Sequence, residues 1–239
     1  MPGQSALNSV EPVAIDVRHW SLAGEAPQRL QLFSTMSGEE RQRAARFHDP
    51  ADANAYVWAR GGLRSILAER AGCRPEGLEF VYGPNGKPTL AGPAGNLHFN
   101  LSHSGGIAVC AISASHPVGV DIEVPRPIES DVARHFFSAA ENRDLDSLRG
   151  EHWRQGFFSC WVRKESIVKA IGLGLSFDLK CFDVSLIPGE PARVQRFAGD
   201  HGAAEQWHLA DLSVESGMAG ALAVRSHGVP VTINVRRWR

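Results

Sequence analysis

The chain has 239 residues, which against about 150 residues per domain sits between one domain and two. Lys plus Arg number 25 and Asp plus Glu 26, so a formal charge of -1 excludes wholesale capture of nucleic acid or an anionic membrane by a long-range field. With 43% hydrophobic and 21% charged residues the chain can bury a core, which excludes disorder along most of its length.

The opening MPGQSALNSVEP has no basic region ahead of an apolar one and reads as a loose arm. No segment is long and apolar enough to cross a bilayer. Val13 to Val17 alternates as a strand, and Ser37-Gly-Glu-Glu40 is a capping box opening a helix to about His48. Asp49-Pro50 supplies the N-cap and first position of a longer helix reaching about Ala71. Two adjacent glycines inside it, Gly61 and Gly62, cost about 2 kcal/mol relative to alanine, so a kink or a close backbone contact is expected there. Leu78 to Tyr82, Leu97 to Leu101 and Gly106 to Ser113 read as strands, separated by the turn-rich Gly83-Pro-Asn-Gly86 and Ser102-His-Ser-Gly105.

The second half repeats this order. Strand Gly119 to Glu123 is followed by a helix from about Ser130, the capping box Ser138-Ala-Ala-Glu141, a long helix from about Glu151 to Ile171, and strands. Residues recur as well: Val13-Ala-Ile-Asp16 matches Val118-Gly-Val-Asp121, Ala45-Arg-Phe47 resembles Ala133-Arg-His-Phe136, and Trp58-Ala-Arg60 matches Trp161-Val-Arg163. His98-Phe-Asn-Leu-Ser102 likewise resembles His208-Leu-Ala-Asp-Leu-Ser213. Matches in the same order about a hundred positions apart indicate a duplication. The expected fold is therefore α+β, a two-layer pseudo-dimer of similar halves at 1–117 and 118–239. Each half is a small antiparallel sheet packed with a long helix, and the active site lies in the cleft between them. The four cysteines, Cys73, Cys110, Cys160 and Cys181, form no CxxC pair and read as reduced thiols of a cytoplasmic protein.

Differences between the halves point to the chemistry. Asp121 and Glu123 are i and i+2 on a strand, so two hard oxygen ligands share one face, which is half of a magnesium site. Such carboxylates also pair with arginines at strand ends. Glu165 and Lys169 are i and i+4 on a helix, where an ordinary ion pair is the simplest reading.

Context lifts both. Gly119-Val-Asp121-Ile-Glu123, Phe136-Phe-Ser-Ala-Ala-Glu141 and Trp161-Val-Arg-Lys164-Glu165-Ser-Ile-Val-Lys169, together with Gly86-Lys87-Pro88 and Asn100-Leu-Ser102-His103-Ser104, resemble the motifs of the 4'-phosphopantetheinyl transferase superfamily. The similarity is to its larger, pseudo-dimeric Sfp-like branch and runs from about Ser37 to Phe182.

That resemblance implies transfer of the 4'-phosphopantetheine arm of coenzyme A to a serine of an apo acyl or peptidyl carrier protein, with release of 3',5'-ADP. It implies Mg²⁺ held by Asp121, Glu123 and Glu165, with Glu165 as the base for the carrier serine and Glu141 as the second candidate. Lys169 and Lys164 are implied at the departing phosphate. Ser102, His103, Gly86, Lys87, Pro88 and Arg43 are implied at the coenzyme, with Arg43 equally readable as one residue of a solvated helix. Leu173, Leu175 and Phe177 are candidates for an apolar carrier contact, or for core, and Arg236-Arg-Trp-Arg239 reads as a solvated tail. A monomer acting on neither nucleic acid nor membrane is expected. The competing classes are a non-catalytic coenzyme A or carrier-binding module and an Mg²⁺-dependent phosphate-ester hydrolase; the latter would need the carboxylates but not the Gly-Lys-Pro and Ser-His elements.

Overall fold

A computed structural model describes residues 11–174, 177–199 and 204–238. The strand Val13–Ser21 (β1) is followed by helices Ala26–Ser34 (α1), Gly38–Ala45 (α2) and Pro50–Ala71 (α3). A hairpin, Phe80–Tyr82 (β2) and Pro88–Leu90 (β3), leads into His98–Ser104 (β4) and Ile107–Ser113 (β5). The order then recurs: Val118–Glu123 (β6), Ser130–Phe136 (α4), Ala139–Asp146 (α5), Gly150–Ile171 (α6), the hairpin Phe182–Val184 (β7) and Val194–Phe197 (β8), then Trp207–Asp211 (β9) and Ala219–Arg225 (β10). A last strand, Val231–Arg237 (β11), has no counterpart in the first run.

Local chemistry explains the boundaries. Ser37 and Ser138 each accept from the backbone of the residue three positions on, and Glu40 and Glu141 reach back to the cap, so α2 and α5 both open on complete capping boxes. Asp49 caps α3, and Gly72 and Gly172 end α3 and α6 in the left-handed conformation at φ 65 and 84. Gly61 and Gly62 leave α3 unbroken. A Cβ on Gly61 would lie 2.6 Å from that of Leu32, and one on Gly62 would lie 2.6 Å from the Trp20 indole nitrogen, so close packing is the outcome.

Strand order is β11-β1-β5-β4 in one sheet and β6-β10-β9 in another, with the two hairpins separate. All pairings are antiparallel except β1 with β11. The central strand β5 is buried on both faces, because Ala108, Cys110 and Ile112 pack with α3 while Val109 and Ala111 join Val120, Ile122 and Leu222 of the other sheet. That contact seals sheet to sheet, and the third cluster joins α6 to β7, β9 and β10.

Three expectations change here. Ser102, His103 and Ser104 belong to β4, and the turn is Gly105-Gly106, whose φ values of 56 and 78 suit a two-residue hairpin. The tail is a strand: β11 crosses back to pair with β1, so a division at 117/118 leaves its last strand in the first sheet. The long helices run over 50–71 and 150–171 and end on Gly72 and Gly172, so the structural match is Arg64 with Lys164, each on the capping-box glutamate of its own run, rather than Arg60 with Arg163, which lies on Asp211. Residues 1–10, Leu175 and Arg239 lie outside the described residues. Among the described residues no helix is long and apolar enough to cross a membrane.

Candidate active site

The strands β4 and β6 are the facing edges of the two sheets, and α6 lies against β6. Its approach depends on Gly119: a Cβ there would sit 1.9 Å from the Ser166 carbonyl oxygen and 2.4 Å from the Ala170 nitrogen. With no side chain in the way, Lys169 reaches across to Asp121.

Asp121 is 4% exposed. Its Oδ1 accepts from Lys169 Nζ at 2.7 Å and from the Ser102 hydroxyl at 2.7 Å, and Lys169 also bonds Ser102 Oγ at 3.1 Å. The other oxygen, Oδ2, is buried with no hydrogen-bond partner among the described residues. Glu123 Oε2 accepts from the Ser104 hydroxyl at 2.9 Å. Burial raises the Glu165 carboxyl above its usual range, and the charges of Asp121 and Glu123 push in the same direction against Lys169. Three carboxylates therefore repel one another around one lysine, with a formal charge of -2 if all are ionised.

An unpaired carboxylate oxygen buried in such a cluster calls for a cation. The donors are all hard oxygens, which fits Mg²⁺. The three side chains do not converge into a closed cage, since no group of three potential ligands forms among the described residues. Mg²⁺ usually keeps several waters and substrate oxygens, so an open set is compatible with it. Beside Glu165 a cavity of about 260 Å³ is lined by Phe136, Trp161, Val168 and Phe177, with the Phe136 and Trp161 rings edge to face at 5.5 Å.

Two family profiles match the chain: 4'-phosphopantetheinyl transferase superfamily over residues 117–224, and 4'-phosphopantetheinyl transferase, N-terminal, over residues 19–115. The 4'-phosphopantetheinyl transferase HetI of a Nostoc species is 35% identical over 219 residues, covering 89% of each chain. The chain belongs to the 4'-phosphopantetheinyl transferase superfamily. The transferase Sfp of Bacillus subtilis is 33% identical over 69% of this chain and 72% of its own, which places the chain in the Sfp-like branch. The solved holo-[acyl-carrier-protein] synthase of Thermotoga maritima matches 46% of this chain and 63% of its own at a TM-score of 0.39 and 20% identity.

Within this transferase, the structure brings together Asp121, Glu123, Glu165, Lys169 and Ser102 and separates the rest. Lys164 is fully buried and donates to the carbonyls of Leu179 and Phe182 at 2.6 Å each and to Glu141 at 2.9 Å. It is not free to meet a coenzyme. Glu141 is fully buried too, with Oε2 on the Ser138 amide and Oε1 on the Val184 amide and Lys164, so it braces α5, α6 and β7 and cannot reach a carrier serine.

Lys87 is likewise committed. Its ammonium donates to the carbonyls of Lys169 at 2.5 Å, Ala170 at 3.0 Å and Val118 at 3.5 Å, while burial pulls its pKa down to about 8. It caps the C-terminal end of α6, where a cation is favoured. Asn85 in the same turn donates to Gly172 O, so the Gly86-Lys87-Pro88 hairpin fixes the helix that carries Glu165 and Lys169. Gly86, at φ 79, shapes that turn, and Pro88 begins β3.

Ser102 and His103 are successive strand residues, so their side chains leave on opposite faces; His103 is exposed, while Ser102 is held in the acid cluster. Arg43 is exposed on α2, with its guanidinium 5.5 Å from the Tyr56 ring. Phe177 lines the cavity and packs on Phe182 at 5.9 Å. Sequence reading missed the roles of Ser104 and Gly119. A glycine inside a strand is the usual mark of a close backbone approach, and Gly119 carried that signal.

Proposed function

We propose that this transferase moves the 4'-phosphopantetheine arm of coenzyme A to a serine of an apo acyl or peptidyl carrier protein, with Mg²⁺ and release of 3',5'-ADP. The observation that carries the metal reading is the buried, unpartnered Oδ2 of Asp121 inside a cluster of formal charge -2. Asp121, Glu123 and Glu165 are the residues that would hold the ion. When bound, it would neutralise pyrophosphate oxygens as charge develops in the transfer.

The chain's own residues supply the rest. The carrier serine hydroxyl attacks the phosphorus that bears pantetheine, the bond from that phosphorus to the bridging oxygen breaks, and the oxygen leaves with 3',5'-ADP. Glu165 takes the serine proton, directly or through a water on the ion it would hold. Lys169 offsets charge on the departing phosphate from its place beside Asp121. His103, exposed near the end of β4, would donate to a coenzyme phosphate.

The proposed enzyme is a monomer working in the cytoplasm; the repeated order of elements supports only its duplicated, pseudo-dimeric plan, with residues 1–117 supplying coenzyme contacts and 118–239 the acids. The test is incubation with coenzyme A, Mg²⁺ and an apo carrier, followed by intact mass. A gain of one phosphopantetheine that disappears with chelator is expected. No gain on any acyl or peptidyl carrier, or coenzyme A cleavage without a carrier, rejects the reading.

A further inference from the structure

Strand β6 lies at the edge of its sheet, with β10 its one backbone partner among the described residues, so its outward amides must be satisfied some other way. They are satisfied by side chains of β4. Val120 N–H donates to Asn100 Oδ1 at 2.9 Å, Ile122 N–H to Ser102 Oγ at 3.4 Å and Val124 N–H to Ser104 Oγ at 3.2 Å. Each step advances two residues on both strands, which is the period of residues sharing one face.

The two serines do a second thing. Ser102 accepts from Ile122 N–H and donates its proton to Asp121, and Ser104 accepts from Val124 N–H and donates to Glu123. A hydroxyl has one proton to give and two lone pairs, so each serine ties a carboxylate to the backbone that follows it. Where β6 carries Asp121 and Glu123, β4 carries serines; opposite the glycine that precedes them, β4 carries Asn100, whose bond goes to the backbone alone. The motifs Asn100-x-Ser102-x-Ser104 and Gly119-x-Asp121-x-Glu123 are therefore two sides of one joint.

We propose that this side-chain ladder orients the acids before the metal arrives, and that Ser104 is a positioning residue for Glu123. The inference rests on the metal reading above. It differs from the family resemblance in assigning Ser102 to the acids rather than to the coenzyme, and it gives Ser104 a role.

The test uses the full chain, without coenzyme A or carrier, and titrates Mn²⁺ while following the free ion by its paramagnetic resonance. Ser104→Ala is expected to weaken Mn²⁺ binding about tenfold, within the usual range for removing a group that orients a metal ligand. Ser104→Thr, which keeps the hydroxyl, is expected to restore it. Amide exchange at Val124 should quicken in the alanine variant and not in the threonine one. In turnover, Ser104→Ala should raise the Mg²⁺ requirement with the KM for coenzyme A unchanged. Wild-type affinity retained in a folded Ser104→Ala chain overturns this inference alone. A wild-type chain that binds no Mn²⁺, whether coenzyme A is added or not, overturns the metal reading and the role of Ser104 with it, and unchanged Val124 exchange in Ser104→Ala overturns the ladder.

Discussion

The same place in the two runs of the fold is built with opposite electrostatics. At β1, Asp16 is bonded by Arg18 at 3.0 and 3.1 Å and by Arg236 of β11 at 3.1 Å, and Arg18 also lies 3.8 Å from Glu69 of α3. Those four charges cancel. At β6 the position of Arg18 is Glu123, that of Glu69 is Lys169, and that of Ser65 is Glu165, leaving a formal charge of -2 and an oxygen without a partner among the described residues. Burial would raise Asp16, but its two arginines hold it below the usual carboxylate range, whereas Glu165 is pushed above it. The outer edges differ as well: β1 is covered by a parallel backbone ladder to β11, while β6 meets only the side chains of β4. One site is closed by its own counter-charges and the other keeps an excess of negative charge.

The sharpest way to break this comparison is to neutralise the acids of each site. Asp121→Asn or Glu165→Gln should lower carrier loading by about a thousandfold or more, equivalent to roughly 4 kcal/mol of transition-state stabilisation. Asp16→Asn should leave kcat/KM within about twofold while costing about 3 kcal/mol of stability, because Arg18 loses its buried partner. Loading rates at fixed coenzyme A and urea melts read the two effects separately. A folded Asp16→Asn enzyme that fails to turn over would end the distinction between the strands.

The capping-box glutamates offer a second contrast within a shared device. Glu40 is held by Arg60 at 2.5 Å and Arg64 at 2.6 Å, with Phe80 4.0 Å from the Arg60 guanidinium; Glu141 is held by Lys164, with Phe182 4.2 Å from its ammonium. Lys164→Met strands a fully buried carboxylate and should cost about 3–4 kcal/mol, and Glu141→Gln added to it, which removes the charge but keeps an acceptor for the backbone amides, should recover part of the loss. A base or coenzyme ligand would behave otherwise, losing kcat or raising KM with stability intact.

Glycine placement gives a third. In the first run the glycine is on the helix, Gly62 against the Trp20 indole; in the second it is on the strand, Gly119 against the backbone of α6. Gly119→Ala should cost about 2–3 kcal/mol by overpacking and draw Lys169 away from Asp121, so stability and loading fall together. Ala14→Gly, the matched change in the exposed position of β1, should cost about 0.5–1 kcal/mol of stability and leave loading untouched.

How much of this was legible before folding follows from the range of each interaction. Capping boxes, the αL glycines and the long helices are local, so Ser37, Ser138, Gly72 and Gly172 can be read from neighbouring residues. The acids of the motifs were legible by family resemblance. The partners of Lys87, Lys164 and Glu141 were not, because a motif gives residue types and spacing but not which polar groups a buried ammonium will meet. Lys87 meets carbonyls more than thirty positions away on β6 and more than eighty away on α6. The same limit hid β11, whose basic residues look solvated until Arg236 is placed beside Asp16.

The smallest effect tests the closed half by acid. Burial alone would raise the Glu40 carboxyl, but Arg64 and Arg60, with the Ser37 amide, hold it below the usual value of 4.5. Below about 4.5 the unfolded chain therefore binds a proton that the folded chain resists, and stability falls with pH as the folded carboxyl is driven to protonate. The contribution is complete above that value and is lost only beneath it. Glu40→Gln removes the titrating group, so its stability deficit against wild type should be constant from pH 7 to 5 and narrow as the pH falls from 4.5 towards 3. Asp16 and Asp183, also held low by arginines, titrate equally in both proteins and drop out of the difference. A deficit that stays constant across the whole range would mean that Glu40 titrates alike in the folded and unfolded chains, and that its two arginines do no more than fill space.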